Sequence, residues 1–202
     1  AYVANASIDM FENTSEPKYL LFATNLANHL ITHFWDDSTH GFFFTSDIHE
    51  KLIIRPKNNY DLSMPSGNSV AAHVLLRLHY ITQNKQFLEI VKKIIEAQAT
   101  AAAENPFAFG YLLNILYLYH QRPIEITVIN DKNSELISTL QKKFLPESIM
   151  VIIRNKNNLD LLSEHAFFSG KEFQDDKTTV FVCKNFSCSL PLSDLSEIEN
   201  EL

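Results

Sequence analysis

Five polar residues in one part of the chain have side chains that could bind a small polar ligand or act on it. Arg and Asp make charge-assisted hydrogen bonds with hydroxyl groups, and Asn offers both a donor and an acceptor. A carboxylate or an imidazole can also serve as a general acid or base. We therefore predict substrate-binding roles for Arg55, Ser66 and Asn68. The same reasoning predicts catalytic roles for Asp61 and His73.

A structural interpretation of these five residues stands beside the functional one. Ser66 and Asn68 lie at the start of a predicted helix, where Ser and Asn are favoured as caps. Arg55 and Asp61 could form an ion pair that holds the preceding connection in place. His73 neighbours the apolar face of its predicted helix, where a histidine can be part of the core. The sequence leaves both interpretations open.

Two further pairs of polar residues invite a chemical interpretation. Asp36 and Asp37 suggest a glycosidase, which needs two carboxylates across the scissile bond. Adjacent residues at a helix end usually point to different places, so we expect these two to be solvated or paired with a cation. His29 and His33 are four residues apart on one predicted helix. Because no third ligand accompanies them, we predict no metal site there.

The two cysteines are the last residues with chemical potential. Cys183 and Cys188 flank four residues at the end of a predicted strand. A disulfide across that turn is geometrically possible, and two reduced cysteines in a small core are equally compatible with the sequence. No cysteine or histidine lies nearby at zinc-ligand spacing. The Cys-x-x-Cys spacing of redox enzymes is missing, which argues against a redox-catalytic role.

Composition excludes several classes of protein. The chain has 202 residues, a net charge of −7 and scattered lysines and arginines, so we do not expect it to bind nucleic acid. No apolar run reaches the roughly 20 residues that span a bilayer. There are only four glycines and no glycine-rich phosphate-binding loop, and we predict no cofactor. These features predict a soluble, cytoplasmic protein.

Apolar periodicity divides the chain into two parts. Up to about residue 121 it predicts helices in pairs, with a long polar connection that includes two short strands or extended segments. After residue 122 it predicts strands that alternate with helices, typical of a small, partly parallel α/β layer. We therefore predict domains at 1–121 and 122–202. The predicted helices are 16–35, 66–83, 86–101, 107–119, 135–144 and 192–202, and the predicted strands are 125–129, 149–153 and 178–183. Segments 42–45 and 51–55 are predicted to be two short strands or an extended loop. Helix 107–119 is apolar on nearly all sides, so we expect it to be central in its layer.

One stretch of the connection resembles a family signature. Arg-Pro-Lys at 55–57, Asp61, Pro-Ser-Gly-Asn-Ser at 65–69 and Leu-Leu-Arg-Leu at 75–78 resemble the motif of the YyaL-like, spermatogenesis-associated family of thioredoxin-domain proteins. The segment 34–46, with its Gly-Phe-Phe before Thr-Ser, is similar to a second family segment. Cys183, Cys188 and Pro191 match a third.

The resemblance implies a thioredoxin-like domain followed by a toroid of helical hairpins of the six-hairpin-glycosidase type, similar to N-acylglucosamine 2-epimerase. This chain would carry the last hairpins only, so we expect a mainly helical, mixed fold: an incomplete α/α toroid and then a small α/β domain. The implied function is carbohydrate binding or modification, with a sugar as ligand. The alternative is a non-catalytic interaction or scaffold module of a thioredoxin-domain protein.

The first residues also suggest what the chain associates with. Residues 1–12 have the pattern of the end of an amphipathic helix, so we expect that the chain was cut from a longer protein. Too few helices to close a ring would leave apolar surface uncovered. We therefore expect a homo-oligomer, or association with the missing N-terminal part.

Overall fold

A computed structural model of the chain describes residues 1–50, 53–174, 176–184 and 187–202. Within these residues it has eight α-helices and one sheet of four strands, which confirms the mixed, mainly helical class. The chain forms two compact units. The first contains Ala1–Ile8 and Leu20–His120, and the second contains Asp9–Tyr19 and Gln121–Leu202. The toroid and the domain division at 121/122 stay predictions.

The first unit is built from helices. Its main elements are α1 (Tyr2–Thr14) and α2 (Pro17–Phe34), which it shares with the second unit, then α3 (Gly67–Thr82), α4 (Lys85–Glu104), a 3-10 turn (Pro106–Phe109) and α5 (Gly110–Gln121). Gln83 ends α3 in a left-handed conformation with φ 60°, and the Asn84 side chain caps the start of α4. This two-residue turn folds α3 and α4 into a hairpin.

Helix α3 is the most enclosed element of the first unit. Twelve of its sixteen residues are buried, whereas Leu112 and Ile115 are the buried residues of α5. The prediction that helix 107–119 is central was therefore wrong. An all-round apolar composition allows burial, but it does not supply the neighbours that bury every side. Phe107 is 96% exposed.

Of the two forms predicted for the connection between α2 and α3, two short strands or an extended loop, the described residues have the loop. The described part of residues 42–55 contains no strand, and the pairing there is an isolated antiparallel bridge between Trp35 and Phe42. The second predicted strand, 51–55, falls partly outside the described residues, and 53–55 are not in a strand. Side-chain hydrogen bonds hold this connection instead, as described below.

The second unit is built around the sheet. Its elements after α5 are β1 (Ile124–Ile129), α6 (Ser134–Lys142), β2 (Ser148–Ile153), α7 (Lys156–Leu162), β3 (Thr179–Lys184), β4 (Ser187–Cys188) and α8 (Leu195–Glu201). The strand order is β2-β1-β3-β4, with β1 parallel to β2 and the other two pairs antiparallel. The three predicted strands are confirmed to within a residue or so. Helix α7 was not predicted, because its seven residues are too few for a clear period.

The two faces of the sheet differ in composition. One face is apolar: its strand residues pack with Leu136, Ile137 and Leu140 of α6 and with Ile198 of α8. The residues that alternate with these along β1 and β3 are more polar. They include Glu125, Thr127, Thr179 and Cys183. Since successive residues of a strand point to opposite faces, this polar set shares the second face.

Candidate functional site

The connection between α2 and α3 starts with a tight turn that is held by hydrogen bonds to the carboxylate of Asp36. Asp36 accepts hydrogen bonds from Ser38 and Thr39, and its Oδ2 lies 2.6 Å from the Lys57 Nζ. The hydrogen bond from Lys57, followed by those from Ser38 and Thr39, holds the pKa of Asp36 well below its usual value. Asp37 instead accepts from the Trp35 indole N–H at 2.7 Å. The two adjacent carboxylates therefore face different partners.

Arg55 ties the middle of the connection to the end of α2. Its Nη2 donates to the carbonyl of Thr45 at 2.7 Å and to the carbonyl of His33 at 3.1 Å. The guanidinium also lies 4.2 Å from the centroid of the Phe43 ring, a cation–π arrangement. The planar fork of Arg suits such a multiple contact. These contacts give Arg55 a positioning role in the connection.

Asn68 lies in the first turn of α3, and its side-chain amide makes hydrogen bonds with the backbone of the connection as a neighbouring strand would. Its Oδ1 accepts from the Phe42 N–H at 2.6 Å, and its Nδ2 donates to the Phe42 and Asn58 carbonyls at 2.9 and 3.0 Å. Gly41 makes this approach possible, because a Cβ there would lie 3.0 Å from the Asn68 Oδ1. Gly41 also has φ +91°, which other residues rarely adopt.

Asp61 performs the same task at the other end of the connection. One carboxylate oxygen accepts from the Ser66 N–H at 2.7 Å, and the other accepts from the N–H groups of Tyr111 and Leu112 at 2.9 and 3.0 Å. These last two amides belong to the first turn of α5, where a helix has unpaired donors. Asp61 is 7% exposed. Ser66 is the N-cap of α3, and its Oγ accepts from the Ser69 N–H.

His73 lies one turn further along α3. Its Nδ1 is 2.7 Å from the hydroxyl of Tyr111. Burial, and to a lesser degree the nearby charge of Arg77, lower the pKa of His73 to about 3. The imidazole is therefore neutral at neutral pH, and it shares one hydrogen bond with a phenol.

We call the hydrogen-bonded residues Arg55, Asp61, Ser66 and Asn68 the framework of the connection. An open groove of about 460 Å³ lies beside it. Its lining is mainly aromatic and aliphatic, with amide and hydroxyl groups from three residues. The aromatic lining residues are Tyr2, Phe34, Phe42, Phe43, Phe44 and Tyr60, and the polar ones are Asn58, Ser63 and Asn68. Among the described residues, no carboxylate and no imidazole lines it. A groove of this chemistry can bind a ligand, but it contains no general acid or base of the usual kind.

One of the five predicted site residues lines this groove. Asn68 lines the groove, whereas the described lining does not include Arg55, Asp61, Ser66 or His73. The contacts above give these residues structural tasks, and their predicted roles toward a ligand stay predictions. The sequence reasoning missed the aromatic lining. The available signal was the run Phe42–Phe44, which the sequence predicts as a short strand or part of an extended loop.

The described residues contain no group of three or more His, Cys, Asp or Glu side chains that could hold a metal ion. Cys183 and Cys188 form a disulfide, one of the two alternatives left open above. Within the described part of the chain, no helix is both long and apolar enough to cross a membrane.

Comparison with known proteins gives distant relatives. No protein-family model matches the chain. The chain is 26% identical to spermatogenesis-associated protein 20 of Homo sapiens over 207 residues, which cover all of this chain and 26% of that protein. The identity and coverage are the same for spermatogenesis-associated protein 20 of Rattus norvegicus. An uncharacterised protein of Caenorhabditis elegans is 24% identical over 98% of this chain and 27% of its own length.

The chain thus spans about a quarter of the length of these curated relatives. Similarity over the whole chain supports a relationship with the spermatogenesis-associated proteins, as the motif at 55–78 had indicated. The thioredoxin domain and the toroid stay predictions.

The three bonds of Asn68 predict a large loss of stability on its removal. Asn68→Ala leaves buried backbone groups of Phe42 without partners, so we expect the free energy of unfolding to fall by about 2–4 kcal/mol. Asn58→Ala is the matched control, because its side chain is exposed and its carbonyl would remain; we expect a change below about 0.5 kcal/mol. Urea unfolding measures both. Equal losses for the two variants would contradict the framework role of Asn68.

The low pKa of His73 predicts an acid-sensitive stability. The unfolded chain binds a proton at this residue below about pH 6.5, while the folded chain does so only below about pH 3. Stability is therefore complete above this window and is lost as the pH falls through it, by at most about 1.4 kcal/mol per pH unit. In His73→Gln this part of the slope should disappear. Parallel pH profiles of unfolding for the two proteins would show that His73 is not the cause.

Proposed function

We propose that this chain supplies a carbohydrate-binding groove, formed by aromatic and amide residues of the connection between α2 and α3 and of the helices α1, α2 and α3. The observation that carries the proposal is the lining: six aromatic side chains with two amides and a hydroxyl, and no charged side chain among the described lining residues. A sugar ring is neutral, with apolar C–H faces and hydroxyls at its edge. Aromatic faces and amide groups complement these two kinds of surface.

The framework around the groove supports binding more than catalysis. Both carboxylate oxygens of Asp61 accept hydrogen bonds from backbone N–H groups. His73 is neutral and hydrogen-bonded to the Tyr111 hydroxyl. Hydrolysis of a glycosidic bond needs two carboxyl groups on either side of it. If the longer protein modifies a sugar, these groups would come from other segments. The proposed contribution of this chain is to hold the ligand.

The chain's similarity to longer proteins adds little about the ligand. The names of its relatives mention no substrate, so the carbohydrate class rests on the chemistry of the lining and on the resemblance of the motif at 55–78. A direct binding measurement is therefore the first experiment.

Titration of mono- and disaccharides by isothermal calorimetry tests the proposal. We expect at least one saccharide to bind the wild-type chain. Phe44 lines the groove and is 72% exposed, so its ring is free to lie against a sugar. Removal of that contact in Phe44→Ala should weaken binding by about tenfold.

Phe107→Ala is the matched control, because it removes an exposed phenylalanine that does not line the groove. Its affinity should equal that of the wild type. No binding by any saccharide, or equal losses in the two variants, would overturn the proposal.

A second candidate function is an interaction module, and a different observation favours it. Five residues of the groove lining are large, apolar and exposed: Tyr2, Phe44, Tyr60, Leu62 and Met64. Ile48, Ile53 and Ile54 of the connection between α2 and α3 are exposed as well. Apolar side chains concentrated in this way mark association surfaces. The predicted partners are a second copy of this chain or other segments of a longer protein.

Self-association can be measured by sedimentation velocity over a range of concentrations. We expect a dimer or a higher oligomer, and we expect Leu62→Asp to shift it toward monomer by at least about tenfold in dissociation constant, since a buried carboxylate is costly. Leu190→Asp is the control: Leu190 is similarly exposed but belongs to the second unit. A wild-type chain that stays monomeric throughout would exclude self-association through this surface.

A further inference from the structure

A row of chemically reactive side chains crosses the sheet of the second unit. Glu125 of β1 is directly opposite Cys183 of β3, and Cys183 is directly opposite Cys188 of β4. Partners that face each other across antiparallel strands point to the same face, with Cβ atoms about 4.5–5.5 Å apart. The side chain of Glu125 is therefore the cross-strand neighbour of Cys183, one half of the disulfide, on the same face of the sheet.

The two cysteine residues differ in exposure. Cys183 is 3% exposed, whereas Cys188 is an exposed residue. β4 has two residues and stands at the end of the strand order. An incoming thiol would therefore reach Cys188 at the edge of the sheet, and Cys183 would be the inner, leaving sulfur.

The neighbours of Glu125 form an ionisable pair. Burial raises the pKa of Glu125, and the charge of Lys171 partly opposes this change. Burial lowers the pKa of Lys171, and the charge of Glu125 partly opposes that. Lys171 donates a hydrogen bond to the Phe167 carbonyl, and its Nζ lies 5.8 Å from the centroid of the Phe181 ring. Phe181 stands two residues before Cys183 on β3. Among the described residues, Lys171 is the charged group that acts on Glu125.

We propose that Cys183 and Cys188 form a thiol–disulfide exchange site that accepts two electrons from a dithiol, with Glu125 as proton donor to the Cys183 sulfur. The four-residue spacing differs from Cys-x-x-Cys, but the cross-strand register brings the two sulfurs together in its place. This proposal is independent of the carbohydrate groove, which uses residues of the first unit.

The first step is attack by one thiolate of the dithiol on the Cys188 sulfur. The Cys183–Cys188 bond breaks, a mixed disulfide forms at Cys188, and the electron pair of the broken bond leaves on Cys183. The protonated carboxyl group of Glu125 gives its proton to this sulfur. Stabilisation of the leaving thiolate increases the rate of exchange.

In the second step the other thiolate of the dithiol attacks the dithiol sulfur that is bonded to Cys188. The dithiol leaves as a cyclic disulfide, and Cys188 leaves as a thiolate that takes a proton from water. The two protons that end on Cys183 and Cys188 are balanced by the two that the dithiol releases when its thiols ionise. One of these released protons returns to the Glu125 carboxylate. The dithiol is oxidised by two electrons, and the cysteine pair is reduced by two.

Reduction of the whole oxidised chain by dithiothreitol tests the role of Glu125. Free thiols are trapped with a maleimide and counted by mass spectrometry, and the wild-type rate is divided by the rate of Glu125→Gln at each pH, so that ionisation of the reagent cancels. We expect a ratio of about ten or more at mildly acidic pH. It should fall toward one as the pH rises above the pKa of Glu125, because the carboxyl group then has no proton to give.

Glu135→Gln is the matched control, since Glu135 is an exposed glutamate in the first turn of α6. It should reduce at the wild-type rate at every pH. A ratio near one for Glu125→Gln at all pH values would overturn the role of Glu125. A disulfide that dithiothreitol reduces only after the chain unfolds would overturn the exchange site itself.

Single cysteine variants test the order of attack. With 5,5′-dithiobis(2-nitrobenzoate), Cys183→Ser should react at least about tenfold faster than Cys188→Ser, because only the former keeps the exposed sulfur. Circular dichroism verifies that both variants are folded. If a variant does not fold, the rates of maleimide labelling after partial reduction of the wild type give the same comparison, with Cys188 labelled first. Equal reactivity of the two sulfurs would contradict the assignment.

Discussion

The described residues of the connection between α2 and α3, about thirty in number, have almost no regular secondary structure, so their backbone donors and acceptors need other partners. Side chains from its flanks supply them. Asn68 completes the bonds of Phe42, and Asp61 joins the end of the connection to the first turn of α5. Arg55 and Lys57 bind carbonyls nearer its start. The shape of the groove depends on these bonds, because the connection provides most of its wall.

This requirement changes the interpretation of the signature motif. The residues that look most chemical in the sequence are those whose bonding capacity the connection uses. Asp61 has three backbone donors, and the Asn68 amide has three backbone partners. What the framework leaves available is the aromatic surface, especially Phe44 and Tyr60. In this region we therefore look for function in the exposed aromatic side chains, such as Phe44 and Tyr60, and less in the residues of the motif.

The sequence predicted the regular elements well because their signal is local. Apolar periodicity located α2, α3 and α4, and β-branched runs located β1, β2 and β3. It could not predict that Asn68 pairs with Phe42, since the bond joins residues 26 positions apart and Asn is equally suited to a cap. It also could not predict the register that places Glu125 beside Cys183, which depends on how three strands align. The aromatic residues of the run 42–44 are typical of a strand, so the sequence could not decide between a strand and an extended loop there.

Both units contain buried side-chain polar atoms without a hydrogen-bond partner among the described residues, including Gln98 in the first unit. In the first unit the predicted acid and base are satisfied by hydrogen bonds, which makes proton transfer costly. In the second, the sheet face that carries Glu125 also carries the Thr127 and Thr179 hydroxyls, which are buried without a hydrogen-bond partner among the described residues. Unpaired buried polar groups cost stability and require another reason to be present. The face that carries Glu125 combines them with a half-buried carboxyl group and a disulfide, and the proposed thiol–disulfide exchange uses these last two groups.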